Sequence, residues 1–238
     1  METTQESKSI VSTPVAIIIA GVIIAGAVIF ATKQPAAQPA AANAQPQAPV
    51  AVDVSKVKTD SEPFIGNANA PVTMAYWYDY QCPFCQRNEE DTMPQIVKNY
   101  VDTGKLKVVF KDYEFLGPDS QTLGQFSRAV WAVAPDKFYQ WHKAIYDNQG
   151  TENTGWATQN KILSITTSVL GAGDTAKVAA FVKSNGAEYQ KAMDADKAEG
   201  TAMGISGTPG AIIGKQLISG AQPYAAFQAA IDAALKNQ

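Results

Sequence analysis

The chain has 238 residues, of which 46% are hydrophobic, and its 19 basic and 22 acidic side chains give a formal net charge of −3. This length suffices for one domain with a buried core, and the slightly acidic balance argues against a nucleic-acid partner. The two cysteines and the single histidine exclude a disulfide-stapled mini-domain and a four-cysteine zinc site, and they argue against multi-histidine metal catalysis.

The N-terminal region contains a long apolar segment. Residues 9–32 carry no charged side chain, and their centre, PVAIIIAGVIIAGAVIFA, is apolar on all sides. A helix of about 20 residues spans the roughly 30 Å core of a bilayer, so we predict a short tail at residues 1–13 and a transmembrane anchor at residues 14–32. A cleaved secretory signal is the alternative, because an A-x-A pattern occurs at Ala42 and Ala44, well beyond the apolar end.

A stretch rich in Ala, Pro and Gln follows this segment. Such a composition buries too little apolar surface to offset the entropy of ordering, so we predict a disordered linker at residues 33–56. Spaced prolines favour extended backbone, which suits a semi-rigid stalk between a membrane and a folded domain. The folded domain is then predicted to cover residues 57–238.

The predicted domain begins with a strand–helix–strand unit. Residues 72–78, VTMAYWY, are rich in β-branched and aromatic side chains, which are typical of a buried strand. A helix is predicted over residues 83–103, with Pro83 at its start and a kink at Pro94. Residues 106–112, LKVVFKD, predict a second strand, and the three elements form a βαβ unit in a parallel or mixed sheet.

Helical spacing dominates residues 118–200, where strand patterns are almost absent. Two short apolar runs at residues 211–213 and 216–219 then predict a hairpin. Pro223 opens a final helical segment, YAAFQAAIDAALKN. The predicted architecture is α/β: a β-α-β unit, a block of helices and a closing β-β-α unit.

The two cysteines stand three positions apart in Cys82-Pro83-Phe84-Cys85, between the first predicted strand and the predicted helix. A sulfur at a helix N-terminus meets unpaired backbone N–H groups and the positive end of the helix dipole, and both favour a thiolate. We therefore expect a Cys82 pKa within roughly 3.5–7.5, in the moderate part of that range because Phe84 offers only its backbone N–H. Cys85 is predicted to resolve the mixed disulfide that Cys82 forms with a substrate.

The residues by themselves leave other roles open. A structural disulfide is one, although so short a loop constrains the unfolded chain little. A metal site using Cys82, Cys85, His142 and a carboxylate is a second, although it lacks a further Cys or His pair. A Cys–His hydrolase would leave Cys85 unused. His142, in the aromatic segment FYQWHKAIY, is predicted to be a partly buried or surface packing residue rather than a catalytic one.

A second motif, GISGTPG at residues 204–210, precedes the hairpin, and a Pro at a strand entrance suits a cis peptide bond. Together with the CPFC motif, it makes the chain resemble the thioredoxin superfamily and, within it, the DsbA-like thiol–disulfide oxidoreductases of bacterial cell envelopes. The resemblance is carried by YDYQCPFC, GKLKVVFKDYEFLG, GTPGAII and SGAQPYAAFQAAIDAAL, and it extends over about residues 62–238. It implies a thioredoxin fold whose helical block, at about residues 118–200, is the family's inserted helical domain.

The resemblance also implies roles for individual residues. Cys82 is the attacking cysteine and Cys85 the resolving one. Pro209 is the cis-proline that faces them, and Thr208 offers its backbone to an extended substrate segment. Asp79, just before the motif, is assigned either to proton transfer near Cys85 or to a helix-capping or solvated role. The remaining positions of the active-site surround are Pro83 and Phe84.

These residues predict an enzyme that exchanges a Cys82–Cys85 disulfide with substrate proteins and introduces disulfides into secreted or envelope proteins. A reductase or isomerase on the same fold is an alternative, because Phe84 stands where well-known members carry His; a non-catalytic holdase or metal-binding module is another. No ATP or nicotinamide signature is present, so electrons are expected to pass to or from a partner protein, and we expect no cofactor. We expect no metal, because a further Cys or His pair is missing. The resemblance implies a membrane quinone-linked thiol oxidase as the electron partner. Because a stable disulfide enzyme belongs outside the reducing cytosol, the domain is predicted to lie on the outer, periplasmic face of a membrane.

Overall fold

A computed structural model of the chain describes residues 52–237. The predicted tail at residues 1–13, the predicted anchor at residues 14–32 and most of the predicted linker lie outside the described residues. Within residues 52–237, none of the helices is both long and apolar enough to cross a membrane.

The sheet of the domain has five strands: β1 (Phe64–Ile65), β2 (Val72–Tyr78), β3 (Leu106–Asp112), β4 (Gly210–Ile213) and β5 (Gln216–Ser219). Their order across the sheet is β1-β3-β2-β4-β5. β2 and β3 run parallel, with Val72 opposite Leu106 and Tyr78 opposite Asp112. β1 pairs antiparallel with β3, and β4 pairs antiparallel with both β2 and β5, so the sheet is mixed.

Seven α-helices occur within the described residues: α1 (Pro83–Asp91), α2 (Met93–Ile96), α3 (Pro118–Val133), α4 (Phe138–Asp147), α5 (Gln159–Leu170), α6 (Ala172–Ala202) and α7 (Tyr224–Lys236). A π-helical turn at Val97–Val101 extends α2, and 3₁₀ turns occur at Val54–Lys56 and Pro135–Lys137. Helices α3 to α6 follow one another between β3 and β4, and α3 packs along α6. The residues predicted to be a helical block are therefore mostly helical, with connecting segments between the helices, the longest at residues 148–158.

Both predicted strands of the βαβ unit are confirmed with their predicted bounds, as β2 and β3, and the predicted hairpin is confirmed as β4 and β5. The predicted helical stretch over residues 83–103, with a kink at Pro94, is confirmed with an interruption at Thr92: α1 ends at Asp91, α2 begins at Met93, and the π-helical turn ends at Val101. Pro94 has no N–H to donate to the carbonyl four residues earlier, and its ring crowds that turn, so the helix breaks just before it. Strand β1 was absent from the prediction because two residues show no periodicity.

Alternate side chains of β2 enter different parts of the core, as the two-residue period of a strand requires. Tyr76 and Tyr78 belong to the larger cluster of buried side chains. Trp77 belongs to a smaller cluster on the other face, where it packs with Val52 and Val57. Val52, the first described residue, is therefore already part of the packed core.

A buried cluster of charges joins β3 to α6. It contains two cations and four carboxylates: Lys111 and Arg128 with Glu62, Asp112, Asp196 and Glu199. Asp196 forms ion pairs with Lys111 and, at 2.7 Å, with Arg128. Burial, followed by the neighbouring charges of Asp112 and Glu62, raises the pKa of Asp196 to about 7, because carboxylates outnumber cations here.

This raised pKa predicts how the stability of the domain depends on pH. An Asp in the unfolded chain ionises at about pH 4, whereas Asp196 in the folded chain keeps its proton to about pH 7. This tighter proton binding stabilises the folded chain. The stabilisation is complete below about pH 4 and is lost as the pH rises through 7. We expect the free energy of unfolding in urea to fall by about 1–3 kcal/mol between pH 5 and pH 8. Asp196→Asn should flatten this dependence.

The matched control is Asp194→Asn, because Asp194 is exposed on the same helix, two positions away. Its stability should follow the pH dependence of the unmodified chain. Equal pH slopes for Asp196→Asn and the unmodified chain would contradict the prediction.

Candidate active site

The two cysteines lie where the carboxyl end of β2 turns into α1. Cys82 is the N-cap residue of α1, and its carbonyl accepts the backbone N–H of Cys85 at 3.0 Å. Pro83 occupies the first helical position, where a missing N–H costs no hydrogen bond. Cys82 is 4% exposed, Cys85 is fully buried, and both are free thiols in this structure.

The two thiols differ in acidity. The pKa of Cys82 is lowered to about 6, chiefly by a hydrogen bond from the Cys85 thiol. Burial raises this pKa and so opposes the shift. Hydrogen bonds involving Thr208 and the backbone of Cys85 and Phe84 lower it further. Burial, followed by the interaction with Cys82, raises the pKa of Cys85 well above its usual value. At neutral pH, the lowered pKa favours a thiolate at Cys82 and the raised pKa favours a thiol at Cys85.

The acidity of Cys82 predicts the pH dependence of its alkylation. Because only the thiolate reacts, the rate of iodoacetamide alkylation should rise with pH and level off with a midpoint near 6, the pKa of Cys82. Mass spectrometry after a timed quench identifies the modified cysteine. A midpoint above about 8, as for an ordinary thiol, would contradict the prediction.

The pairing of β4 with β2 places Thr208 and Pro209 next to the cysteines. Gly210, the first residue of β4, pairs with Trp77 near the end of β2, which brings the preceding residues beside the start of α1. The peptide bond between Thr208 and Pro209 is cis, and both residues are buried. The Cys82 thiol donates a hydrogen bond to the Thr208 carbonyl at 3.3 Å, although the two residues are far apart in sequence.

Asp79 is fully buried, so the solvated role considered for it is wrong. Its Oδ1 accepts the backbone N–H of Gln81 at 2.8 Å and the Ser120 hydroxyl at 2.6 Å. Its Oδ2 accepts the backbone N–H groups of Phe115 at 2.9 Å and Leu116 at 3.1 Å. The carboxylate therefore ties the loop that carries Cys82 to the loop that follows β3.

Phe84 is 53% exposed beside Cys82, with the guanidinium carbon of Arg87 5.1 Å from its ring centre. Phe115, in the loop that Asp79 holds, is 47% exposed. Exposed aromatic rings of this size are uncommon on a protein surface, and here one lies in the first turn of α1 and the other in the loop after β3. The sequence offers no signal for Phe115, because its exposure depends on the tertiary structure.

The loop after α4 also contacts the site, and no sequence pattern predicts this contact. The Gln149 side-chain amide donates to the Tyr80 carbonyl at 2.7 Å and to the Cys82 carbonyl at 3.2 Å. The backbone N–H of Asn153 donates to Gln81 Oε1 at 2.9 Å. These bonds join the helical block to the loop between β2 and α1, and only the folded chain brings the two segments together.

His142 is fully buried, so the expectation of a partly buried or surface residue is wrong. Its Nδ1 shares a hydrogen bond with the Tyr80 hydroxyl at 2.9 Å, and its Nε2 lies 3.4 Å from Glu89 Oε1. Aromatic rings, including those of Tyr78 and Phe110, surround the imidazole. Among residues 52–237, no group of three or more His, Cys, Asp or Glu side chains is placed to hold a metal ion.

Comparison with known proteins relates this geometry to a family. A sequence model of the family described as thioredoxin matches residues 58–233. Disulfide bond formation protein D of Bacillus subtilis is 26% identical over 184 residues, which cover 74% of this chain and 78% of that protein.

Solved structures agree with this fold. Oxidised BdbD from Bacillus subtilis has a TM-score of 0.70 at 24% identity, covering 79% of this chain and 98% of that chain. The thiol–disulfide exchange protein alpha-DsbA2 from Wolbachia pipientis has a TM-score of 0.64 at 24% identity, covering 73% of this chain and 87% of that chain. Since the family model spans most of the sequence and the solved relatives share the fold, the chain belongs to the thioredoxin family.

Proposed function

We propose that the chain is a thiol–disulfide oxidoreductase that passes a Cys82–Cys85 disulfide to substrate proteins and so introduces disulfide bonds into them. The observation that carries this proposal is the pair of unequal thiols at the start of α1, with the pKa of Cys82 lowered to about 6 and that of Cys85 raised. Relatives named for disulfide bond formation support it.

The chemistry begins with the oxidised enzyme. A substrate thiolate attacks the Cys82 sulfur, the bond between Cys82 and Cys85 breaks, and Cys85 leaves as a thiolate that takes up a proton. A second substrate thiolate then attacks the substrate sulfur of the mixed disulfide, and Cys82 leaves. The low pKa of Cys82 makes it a good leaving group and stabilises the reduced enzyme, which favours donation of the disulfide.

Thr208 and Pro209 are proposed to bind the substrate segment that carries the reacting thiol. The Thr208 carbonyl accepts a hydrogen bond from Cys82 only while that thiol keeps its proton, and this donor is lost when Cys82 is a thiolate or part of a disulfide. An extended peptide then supplies a backbone N–H in its place, as in other modes of strand addition. Phe84 and Phe115 offer apolar contacts to residues on either side of the substrate cysteine.

For the N-terminal part, we propose a membrane anchor at residues 14–32 and a linker from residue 33 to the packed segment at Val52 that hold the catalytic domain on the outer, periplasmic face. The apolar, uncharged run and the Ala/Pro/Gln-rich composition support this arrangement. A membrane quinone-linked thiol oxidase is proposed to reoxidise the cysteines. Resistance of the full-length chain to carbonate extraction from membranes, and its release when residues 1–32 are removed, would support the anchor; extraction of the full chain would exclude it.

The reduction potential of the Cys82/Cys85 pair tests the proposed direction. The full-length chain is equilibrated in glutathione buffers, and its thiols are counted after alkylation. A potential well above the thioredoxin value of about −270 mV, toward the DsbA value of about −120 mV, supports a disulfide donor. A potential near the thioredoxin value would support a reductase or isomerase, and failure to form a reversible disulfide would overturn the redox function.

A further inference from the structure

An arginine lies against the exposed aromatic ring that follows Cys82. Phe84 is 53% exposed in the first turn of α1, and the guanidinium carbon of Arg87 lies 5.1 Å from the centre of its ring. Residues three positions apart on a helix are neighbours, and a cation within about 6 Å of a ring centre is attracted to the ring. Phe84 and Arg87 therefore form one cation–aromatic pair on the surface beside Cys82.

A second cation lies against the aromatic rings of the loop after β3. Phe115 is 47% exposed, and its ring centre lies 5.9 Å from that of Tyr113. The Lys197 ammonium lies 5.9 Å from the centre of the Tyr113 ring and donates a hydrogen bond to the Glu114 carbonyl at 3.4 Å. Because Glu114 immediately precedes Phe115, this bond places the charge of Lys197 at the base of the exposed Phe115 ring.

The loop after β3 is held close to the place where a substrate is proposed to bind. The backbone N–H of Phe115 donates to Asp79 at 2.9 Å, in the loop that carries the cysteines. The Tyr113 hydroxyl donates to the Ile205 carbonyl at 3.0 Å, and Ile205 precedes Thr208 by three positions. This aromatic loop therefore contacts both the cysteine loop and the segment that leads to Thr208.

Neither cation is neutralised within the described part of the chain. Among residues 52–237, Arg87 and Lys197 form no ion pair with a carboxylate. Asp91 lies one turn beyond Arg87, farther from the start of α1, and the exposed carboxylate of Glu152 accepts a side-chain amide of its own loop. The unpaired charges beside the two rings are thus positive, although the whole chain has a net charge of −3. Such charges at the rim of a site attract a partner of opposite charge.

We propose that the two cation–aromatic pairs select substrate segments in which acidic residues flank the reacting cysteine. The Thr208 carbonyl binds the backbone of the segment, and the rings of Phe84 and Phe115 contact the apolar parts of its side chains. Arg87 and Lys197 each attract one carboxylate of the segment. This inference names a substrate class for the proposed thiol–disulfide exchange and rests on that function.

The test compares peptides that differ only in the charge beside a cysteine. Oxidised full-length chain is mixed with a peptide that has two cysteines and a Glu on each side of the first, or with a matched peptide that has Gln at both positions. The reduced chain is counted by alkylation and mass spectrometry after an acid quench. Each rate is divided by the rate of the same peptide with hydroxyethyl disulfide, an uncharged reagent, to correct for the acidity of the peptide thiol.

The corrected rate should be about threefold to tenfold higher for the Glu peptide than for the Gln peptide at low ionic strength, because two exposed ion pairs form. The ratio should fall below about twofold in about 1 M salt, where charges are screened beyond about 3 Å. A third peptide with Lys at both positions should react more slowly than the Gln peptide.

Arg87→Gln and Lys197→Gln should each reduce the preference for the Glu peptide, and the double variant should bring the ratio of the two rates close to one. Lys191→Gln is the matched control, because it removes the same charge from an exposed position on the helix that carries Lys197. It should keep the preference of the unmodified chain.

Equal corrected rates of the Glu and Gln peptides with the unmodified chain would overturn the inference, and this comparison does not depend on the folding of any variant. So would a preference that persists in the folded double variant, or one that is lost to the same extent in Lys191→Gln. If the oxidised chain oxidises none of the peptides, the proposed function itself is overturned.

Discussion

Cys85→Ser chains are expected to accumulate mixed disulfides, formed when the Cys82 thiolate attacks a disulfide of another protein and releases one of its sulfurs as a thiolate, whereas the unmodified chain should show almost none. Cys82 remains a thiolate-forming nucleophile at the start of α1, but the buried sulfur that would release its partner is absent. The adducts should increase by at least about tenfold, since the competing intramolecular attack is removed. They are measured on non-reducing gels after acid quench and should disappear on reduction.

Cys82→Ser is the control for this trapping experiment. A serine hydroxyl does not attack disulfides at neutral pH, so neither adducts nor disulfide exchange should be detectable. The same substitution separates the enzyme from a holdase, which would still suppress aggregation of an unfolded protein without this sulfur. Adducts that persist in Cys82→Ser, or that fail to form in Cys85→Ser, would contradict the assignment of the attacking cysteine.

Asp79→Ala is expected to lower the free energy of unfolding by at least about 3 kcal/mol, because it leaves several buried donors without an acceptor. Those donors are the backbone N–H groups of Gln81, Phe115 and Leu116 and the Ser120 hydroxyl. The loop that carries Cys82 should also loosen, so the midpoint of Cys82 alkylation should move upward from pH 6. Urea unfolding and the alkylation profile measure the two effects.

Asp60→Ala is the control for charge removal, because Asp60 is exposed. It should change the free energy of unfolding by no more than about 0.5 kcal/mol. A loss of stability in Asp79→Ala as small as in this control would show that the hydrogen bonds of Asp79 contribute little. If Asp79→Ala destabilises the chain but leaves the alkylation midpoint unchanged, Asp79 stabilises the fold without affecting the pKa of Cys82.

Much of the fold follows from local patterns in the sequence. β2 and β3 are composed largely of residues that favour strands, so their bounds are readable from residues 72–78 and 106–112 alone. The break before Pro94 is partly readable, since proline disrupts a helix, but whether the chain bends or stops depends on packing. The two-residue strand β1 exists only because β3 provides a partner for it.

Some features of the site are likewise predictable from the sequence and others are not. The spacing of Cys82 and Cys85 after a strand predicts an unequal pair of thiols, because the helix N-terminus acts on the sulfur at its start. The burial of Asp79 and His142 was not predictable, since their partners lie on other elements. Neither residue type is usually buried, and both are held inside by hydrogen bonds from side chains or backbone distant in sequence.

The α/β class, the main strands, the cysteine motif and the motif before β4 can therefore be predicted from local sequence, because each depends on neighbours within a few positions. The folded chain was needed to show that Thr208 accepts the Cys82 thiol, that Asp79 joins two loops, and that His142 is fully buried. The physical reason is that hydrogen bonding and burial depend on which groups share a volume in space, and sequence spacing does not specify that for residues far apart in the chain.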